Sequence, residues 1–308
     1  MQKYALVFPG QGSQVVGMLQ ELATHFPSVE GTFREASEVL GTDLWKLTQE
    51  GPAEQLNRTE WAQPVMLTAD IAVLRVWQEL HPRSAPEVMA GHSLGEYAAL
   101  VAAEVISFDV ALKLVALRGK LMQEAYTGES AMLAVIGLTD EEVETVCHDA
   151  VLQGIVEIAN LNSPGQVVLS GEKNAVEKAA ELAKAAGAKM VKLLKVSVPS
   201  HCSLMKPAAL KLASELADIE FKSPTVPVIQ NVTAAITSDV DEISDLLVRQ
   251  LYSPVRWVET VKLMVQQGVT AVLECGPGKV LTNLNKRIDP DLVRAELSCF
   301  EQLQQFTE

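Results

Sequence analysis

This sequence holds no apolar run long enough to span a membrane, and the one near its start, Tyr4-Ala5-Leu6-Val7-Phe8, is too short for a signal peptide. A soluble, cytoplasmic protein is therefore expected. Cysteine is scarce. Cys147, Cys202, Cys275 and Cys299 lie far apart and form no Cys-x-x-Cys pair, which argues against a disulfide scaffold and for free thiols in a reducing compartment. The five histidines are scattered as well, and neither Cys147-His148 nor His201-Cys202 has the spacing of a zinc site, so no metal is expected. Positive charge is also in deficit: 25 Lys and Arg against 39 Asp and Glu leave a net charge of −14, which speaks against a nucleic-acid partner. An acidic partner would have to meet a local basic patch. Lys184, Lys189, Lys192 and Lys195 form one such cluster, and Lys279, Lys286 and Arg287 another, although either is equally a stretch of ordinary solvated surface.

What the chain does contain is Gly91-His92-Ser93-Leu94-Gly95 between a strand pattern, Pro86–Ala90, and a helix pattern on Leu94, Tyr97, Ala98, Val101 and Val105. Strand, Gly-x-Ser-x-Gly and helix make a nucleophile elbow, with the serine on a sharp turn over a helix N-terminus whose N–H groups can hold an oxyanion. A tight turn also favours glycine and serine for structural reasons alone.

A serine hydroxyl needs a base. His201, in Val198-Pro199-Ser200-His201, follows a strand pattern and precedes the helix pattern Leu204, Ala208, Lys211, Leu212. A helix N-terminus would keep it neutral and able to accept a proton. A capping or packing role fits its position equally. His92 is nearer in sequence, but adjacent side chains on a sharp turn point apart. No acid is singled out to orient the imidazole, and a helix-end carbonyl can do that work; the helix pattern Asp241–Gln250, stopped before Pro254, leaves such carbonyls free.

Arg118 stands out in the helix pattern Asp109–Ala125, with Leu114, Val115, Leu121 and Met122 at helical spacing around it and no acid in reach. A guanidinium set among apolar residues needs an anion, either a distant structural carboxylate or a substrate carboxylate. Gly10-Gln11-Gly12-Ser13-Gln14-Val15 follows the first strand, but Val15 stands where a dinucleotide loop requires its third glycine. No cofactor is expected. A loop placed there, after an edge of the same sheet, suits Gln11 as a donor of an oxyanion-hole N–H.

The order of elements divides the chain. Strand and helix alternate up to about residue 126, implying a parallel α/β sheet. Then come strand Ala131–Leu138, helix Asp140–Ala150, strands Val156–Leu161 and Gln166–Ser170 around the turn Asn162-Ser163-Pro164-Gly165, helix Asn174–Ala186 and strand Lys189–Val198. That β-α-β-β-α-β order is ferredoxin-like. The α/β pattern resumes with strands Val226–Asn231 and Ala271–Glu274. A small domain over 127–197, inserted into a core of 1–126 and 198–308, is expected.

Phe8-Pro9-Gly10-Gln11-Gly12-Ser13-Gln14, Gln63-Pro64, Gly91-His92-Ser93-Leu94-Gly95-Glu96, Arg118-Gly119, Asn162-Ser163-Pro164-Gly165-Gln166, Val198-Pro199-Ser200-His201 and Gly276-Pro277-Gly278 together closely resemble, in order, the motifs of malonyl-CoA:acyl carrier protein transacylases of dissociated fatty acid synthesis. The resemblance implies an α/β-hydrolase-like core with a mostly parallel sheet and a ferredoxin-like insertion. It implies Ser93 as nucleophile, His201 as base, the N–H groups of Gln11 and Leu94 as oxyanion hole, and Arg118 as holder of the malonyl carboxylate with Gln63, Met122 and Asn162 nearby. The main-chain carbonyl of Gln250 would orient His201. It further implies malonyl-CoA and acyl carrier protein as partners, ping-pong transfer through malonyl-Ser93, no resident cofactor, no membrane partner and a monomer. The rival readings are a thioesterase using the same elbow and, in a different class, an inert carrier-binding scaffold.

Overall fold

The computed structural model describes residues 3–194 and 196–305. The strands, in chain order, are β1 (Tyr4–Phe8), β2 (Val88–Gly91), β3 (Ser130–Ile136), β4 (Val156–Ser163), β5 (Gln166–Glu172), β6 (Met190–Leu193), β7 (Val228–Ile229), β8 (Ala271–Glu274) and β9 (Val293–Glu296). Two sheets result. The larger is parallel, in the order β7-β2-β1-β8-β9, and the smaller is antiparallel, in the order β4-β5-β3-β6.

In β1, Ala5 to Phe8 are fully buried, as in the continuous apolar strand of a sheet covered on both faces. Leu6 and Phe8 pack into one core cluster with Met66, Leu94 and Leu121, while Ala5 and Val7 face another that holds Val88, Trp257 and Leu281. The smaller sheet carries helices Asp140–Ala150 and Lys173–Ala185 over a third cluster, with Leu133, Val143, Leu169 and Val176 inside. With its strand order, this is the βαββαβ ferredoxin-like arrangement expected from the sequence.

Several details differ from expectation. β1 is the middle strand of its sheet, not an edge, so the glycine-rich loop after it emerges at the centre, beside β2. That central position follows from hydrogen bonds to both β2 and β8. β6 stops at Leu193 instead of Val198 because its ladder with β3 runs only as far as the Leu133–Leu193 pair. β7 is confined to Val228–Ile229, since Pro227 has no N–H to give and Gln230 turns away to bond Ala235 O. β9 escapes the sequence pattern because it is a short edge strand interrupted by Arg294 and Glu296. β4 runs on to Ser163, so Asn162 is a strand residue, not a turn residue. It sits where the β4–β5 register shifts between Leu161 and Ser163, a bulge that re-aims a side chain.

The smaller sheet is fastened to the larger layer through β4. Leu161 N donates to Val255 O and Val255 N to Ala159 O, each at 2.9 Å. Among the described residues no helix is long and apolar enough to cross a membrane. Lys184, Lys189 and Lys192, and likewise Lys279, Lys286 and Arg287, are exposed. Lys195 lies outside the described residues.

Candidate functional site

The strand–turn–helix at Ser93 is built on close backbone approach. β2 ends at Gly91, and the helix Gly95–Ala102 starts directly after Leu94. A Cβ on Gly91 would stand 1.8 Å from Gly95 C, and one on Gly95 would stand 2.0 Å from Phe8 O. Nothing larger than glycine fits at either place. Ser93 itself takes φ 55°, left-handed for a residue with a side chain. Holding a non-glycine residue there costs on the order of 1–3 kcal/mol, supplied by the surrounding structure. Asn231 does part of this: its Oδ1 accepts from Ser93 N at 2.7 Å, and its Nδ2 donates to Gly91 O at 2.7 Å.

The structure brings Ser93 and His201 together across 108 residues of sequence, with Oγ and Nε2 2.7 Å apart. His201 Nδ1 lies 2.8 Å from Gln250 O, at the end of the helix Val240–Gln250. A carbonyl only accepts, so Nδ1 carries the proton and bare Nε2 faces the hydroxyl. His201 is buried. Burial and, after it, the charge of Arg118 hold its pKa down at about 3, against the opposing pull of the Gln250 and Ser253 backbone. The helix N-terminus expected from the sequence is not the source of that neutrality. The helix in fact begins at Lys206, after a 3₁₀ turn at Ser203–Met205, so loss of water and a neighbouring cation are the operating causes. His92 points away, as expected, with its Nε2 2.8 Å from Asn162 Oδ1 and its ring near Trp257.

Arg118 is delivered by helix packing. Gly119 presses on the first turn of the helix Thr59–Leu80, where a Cβ would stand 2.7 Å from Thr59 O. That approach sets Arg118, only 1% exposed, beside Gln63. Its Nη1 donates to Gln63 Oε1 at 2.8 Å, and its Nη2 to Gln250 Oε1 at 2.9 Å. Nη2 also reaches to 3.4 Å from Ser93 Oγ. Gln63 Nε2 in turn meets Met122 Sδ at 3.3 Å. The guanidinium carbon lies 5.5 Å from the Tyr97 ring centre. These partners are neutral. Burial lowers the Arg118 pKa, and a cation bonded to amides retains full capacity to bind a carboxylate.

Gln11 sits beside the elbow, since a Cβ on Gly10 would be 2.3 Å from His92 O and 3.7 Å from Leu94 N. The Gln11 side chain is occupied elsewhere, Nε2 donating to Thr59 Oγ1 at 3.2 Å, while Thr59 Oγ1 bonds Ser197 Oγ at 2.8 Å. Among the described residues no group of three or more His, Cys, Asp or Glu is arranged to hold a metal ion.

Three participants escaped the sequence reading: Asn231, Glu96 and the side chain of Gln250. Asn231 carried a signal, because it follows a strand of a parallel sheet at its C-terminal end, where such folds place their sites. Glu96 did not. A carboxylate in the first turn of a helix reads as an ordinary partner of the helix dipole.

Comparison with known proteins identifies the family. The family model described as the acyl transferase domain matches residues 5–289. A malonyl CoA-acyl carrier protein transacylase of Haemophilus influenzae is 57% identical over 293 residues, covering 95% of this chain and 94% of that protein. The crystal structure of an acyl carrier protein S-malonyltransferase from Vibrio cholerae superposes with a TM-score of 0.96 at 54% identity, covering 99% of this chain and 100% of that one. A malonyl-transacylase solved in complex with its type II PKS acyl-carrier protein superposes at 0.97, with 55% identity and coverage of 99% and 98%. A nucleophile elbow with its histidine and a buried arginine, on a fold shared along almost its full length with these enzymes, places the chain in the acyl transferase family, among the malonyl CoA-acyl carrier protein transacylases.

Proposed function

We propose that this protein transfers the malonyl group of malonyl-CoA to the phosphopantetheine thiol of acyl carrier protein by a ping-pong mechanism through a malonyl-Ser93 ester, in fatty acid synthesis. The observation that carries the reading is the buried Arg118, hydrogen-bonded to the amides of Gln63 and Gln250 and 3.4 Å from the Ser93 hydroxyl, with no carboxylate in direct ion pair with it among the described residues. A hydrolase of neutral esters has no use for a cation there.

In the loading step His201 Nε2 takes the Ser93 proton as Oγ attacks the thioester carbon. The tetrahedral oxyanion is received by the N–H groups of Leu94 and Gln11. Ser93 N–H is committed to Asn231, so the hole needs a donor from the neighbouring loop. The intermediate collapses, the thiolate of coenzyme A leaves with the proton from His201, and malonyl-Ser93 remains. The carrier thiol then gives its proton to His201 and attacks the ester carbon, and collapse of that intermediate expels Ser93 Oγ, which takes the proton back from His201. Gln250 O holds the imidazole in the required tautomer throughout, as a triad acid would. Arg118 pairs with the malonyl carboxylate, with Gln63, Met122 and Asn162 shaping the surroundings. No resident cofactor enters this chemistry. We read 127–197 as a small domain inserted in a core of 1–126 and 198–308, and the enzyme as a cytoplasmic monomer.

The exposed lysines on the helix Lys173–Ala185 and β6, and those at the helix Val280–Ile288, are the surfaces we assign to the acidic carrier. Arg287 of the second cluster bonds Gln166 of the smaller sheet, which brings that cluster against it. In a chase, the malonyl-enzyme is expected to persist in buffer and to clear onto added carrier protein. Equal decay without carrier would instead identify a thioesterase. Reversing charge at Lys184, Lys189, Lys192, Lys279 and Lys286 is expected to slow the carrier step roughly tenfold or more at low salt while loading from phosphate-free malonyl-pantetheine is unchanged.

A further inference from the structure

Behind Arg118 and His201 lies a buried carboxyl that the transfer chemistry leaves unused. Glu96 is 1% exposed. Its Oε2 accepts from Gln250 Nε2 at 2.8 Å and from Asn231 N at 3.1 Å, and its Oε1 has no hydrogen-bond partner among the described residues. Those two partners hold the rest of the site. Gln250 O accepts from His201 Nδ1, its Oε1 accepts from Arg118 Nη2, and its Nε2 also donates to Ser93 O at 3.0 Å. Asn231 Oδ1 accepts from Ser93 N. One carboxylate oxygen thus stands behind nucleophile, base and clamp together. Resting on the transfer reading above, we propose that Glu96 is a positioning residue whose bonded oxygen fixes Gln250 and Asn231, and whose ionisation opposes the arrival of the malonyl carboxylate at Arg118.

The groups that face Glu96 bear this out. The helix Phe108–Glu124 contributes the Arg118 cation, and its own helix contributes Tyr97. The segment after β7 and the end of the helix Val240–Gln250 contribute only the neutral groups of Asn231 and Gln250, with His201 beyond Gln250. Among the described residues no ion pair joins Glu96 and Arg118 directly; the Gln250 side chain hydrogen-bonds to both. A malonyl carboxylate held by Arg118 therefore adds a second negative charge to a buried site with one cation. Burial lifts Glu96 to a pKa of about 7, against the bonds from Gln250 and Asn231 and the charge of Arg118. Below that pH Glu96 is neutral and the incoming carboxylate has Arg118 to itself. Above it the two carboxylates compete for one buried cation, and repulsion between like charges in such a site, where the effective dielectric is about 20, is large enough to change affinity by roughly tenfold.

The test is the loading half-reaction with malonyl-pantetheine, which carries no titrating phosphate, followed from pH 5.5 to 8.5. For the wild-type enzyme KM is expected to rise about tenfold across neutral pH while kcat changes little. Glu96→Gln retains an oxygen for both bonds and removes the charge. It should keep kcat within a few-fold and show a flat KM at the low-pH value. Glu96→Ala removes the support as well, and its kcat should fall by roughly 10² through misplaced His201 and Ser93. A wild-type KM that does not move with pH, or a Glu96→Gln enzyme with the wild-type slope, overturns the proposal. Failure to load Ser93 at any pH would instead overturn the transfer reading itself.

Discussion

Removing the imidazole of His201 is expected to cost a factor of roughly 10⁴ to 10⁶ in malonyl loading, the range seen when a serine loses its base. The geometry states why. Among the described residues Ser93 Oγ has one basic atom in hydrogen-bond reach, Nε2 at 2.7 Å; Arg118 Nη2, at 3.4 Å, can only donate. The same geometry sets the pH dependence. A histidine of ordinary pKa would take up a proton as pH falls through 6.5 and lose its function as a base. Burial and Arg118 depress His201 to about 3, so the neutral form persists to much lower pH. Between pH 8 and 5 loading should therefore show no acid-side loss, and protonation of Glu96 favours malonyl binding in that direction. Rapid-quench measurement of coenzyme A release across this range, for wild type and His201→Ala, checks both statements. An acid limb near 6.5 would show that the imidazole is solvated in the working enzyme.

The second large effect concerns what is loaded. Acetyl-CoA would leave Arg118 buried with neutral partners such as Gln63 and Gln250 and no carboxylate to bind, and sites built around a charged or polar group reject analogues lacking it by ~10⁴-fold. In Arg118→Ala the rate on malonyl-CoA should fall by roughly 10³ or more, and the malonyl-to-acetyl ratio should collapse to within about tenfold. Arg118→Lys should recover only part of this. A lysine is a point donor and cannot bridge two amides on opposite sides while facing a carboxylate. Paired kcat/KM values for the two thioesters decide the matter; a ratio that survives Arg118→Ala would move the specificity elsewhere.

How much of this was legible in the sequence follows physical lines. Local signals were readable: the β1 run, the elbow glycines, the helix Asp140–Ala150, and the βαββαβ order. Arg118 was legible by contradiction, a cation among leucines. Pairing partners were not, because they depend on which strand lies beside which. The central place of β1, the early stops of β6 and β7, and the bulge that aims Asn162 at His92 are all set by ladder neighbours far away in the chain. The buried relay through Glu96, Gln250 and Asn231 was hidden for the same reason. Its members are 96, 250 and 231 in the chain, and each alone reads as an ordinary solvated polar side chain at a helix or strand end.

The central claim is that Ser93 carries the malonyl group between two thiols. Its most direct test is the intact mass of the protein after brief exposure to malonyl-CoA, with Ser93→Ala alongside. A single malonyl adduct on the wild-type chain, localised to Ser93 and absent from Ser93→Ala, is the expected result. An adduct that persists in Ser93→Ala, or coenzyme A release by that variant at the wild-type rate, would contradict it.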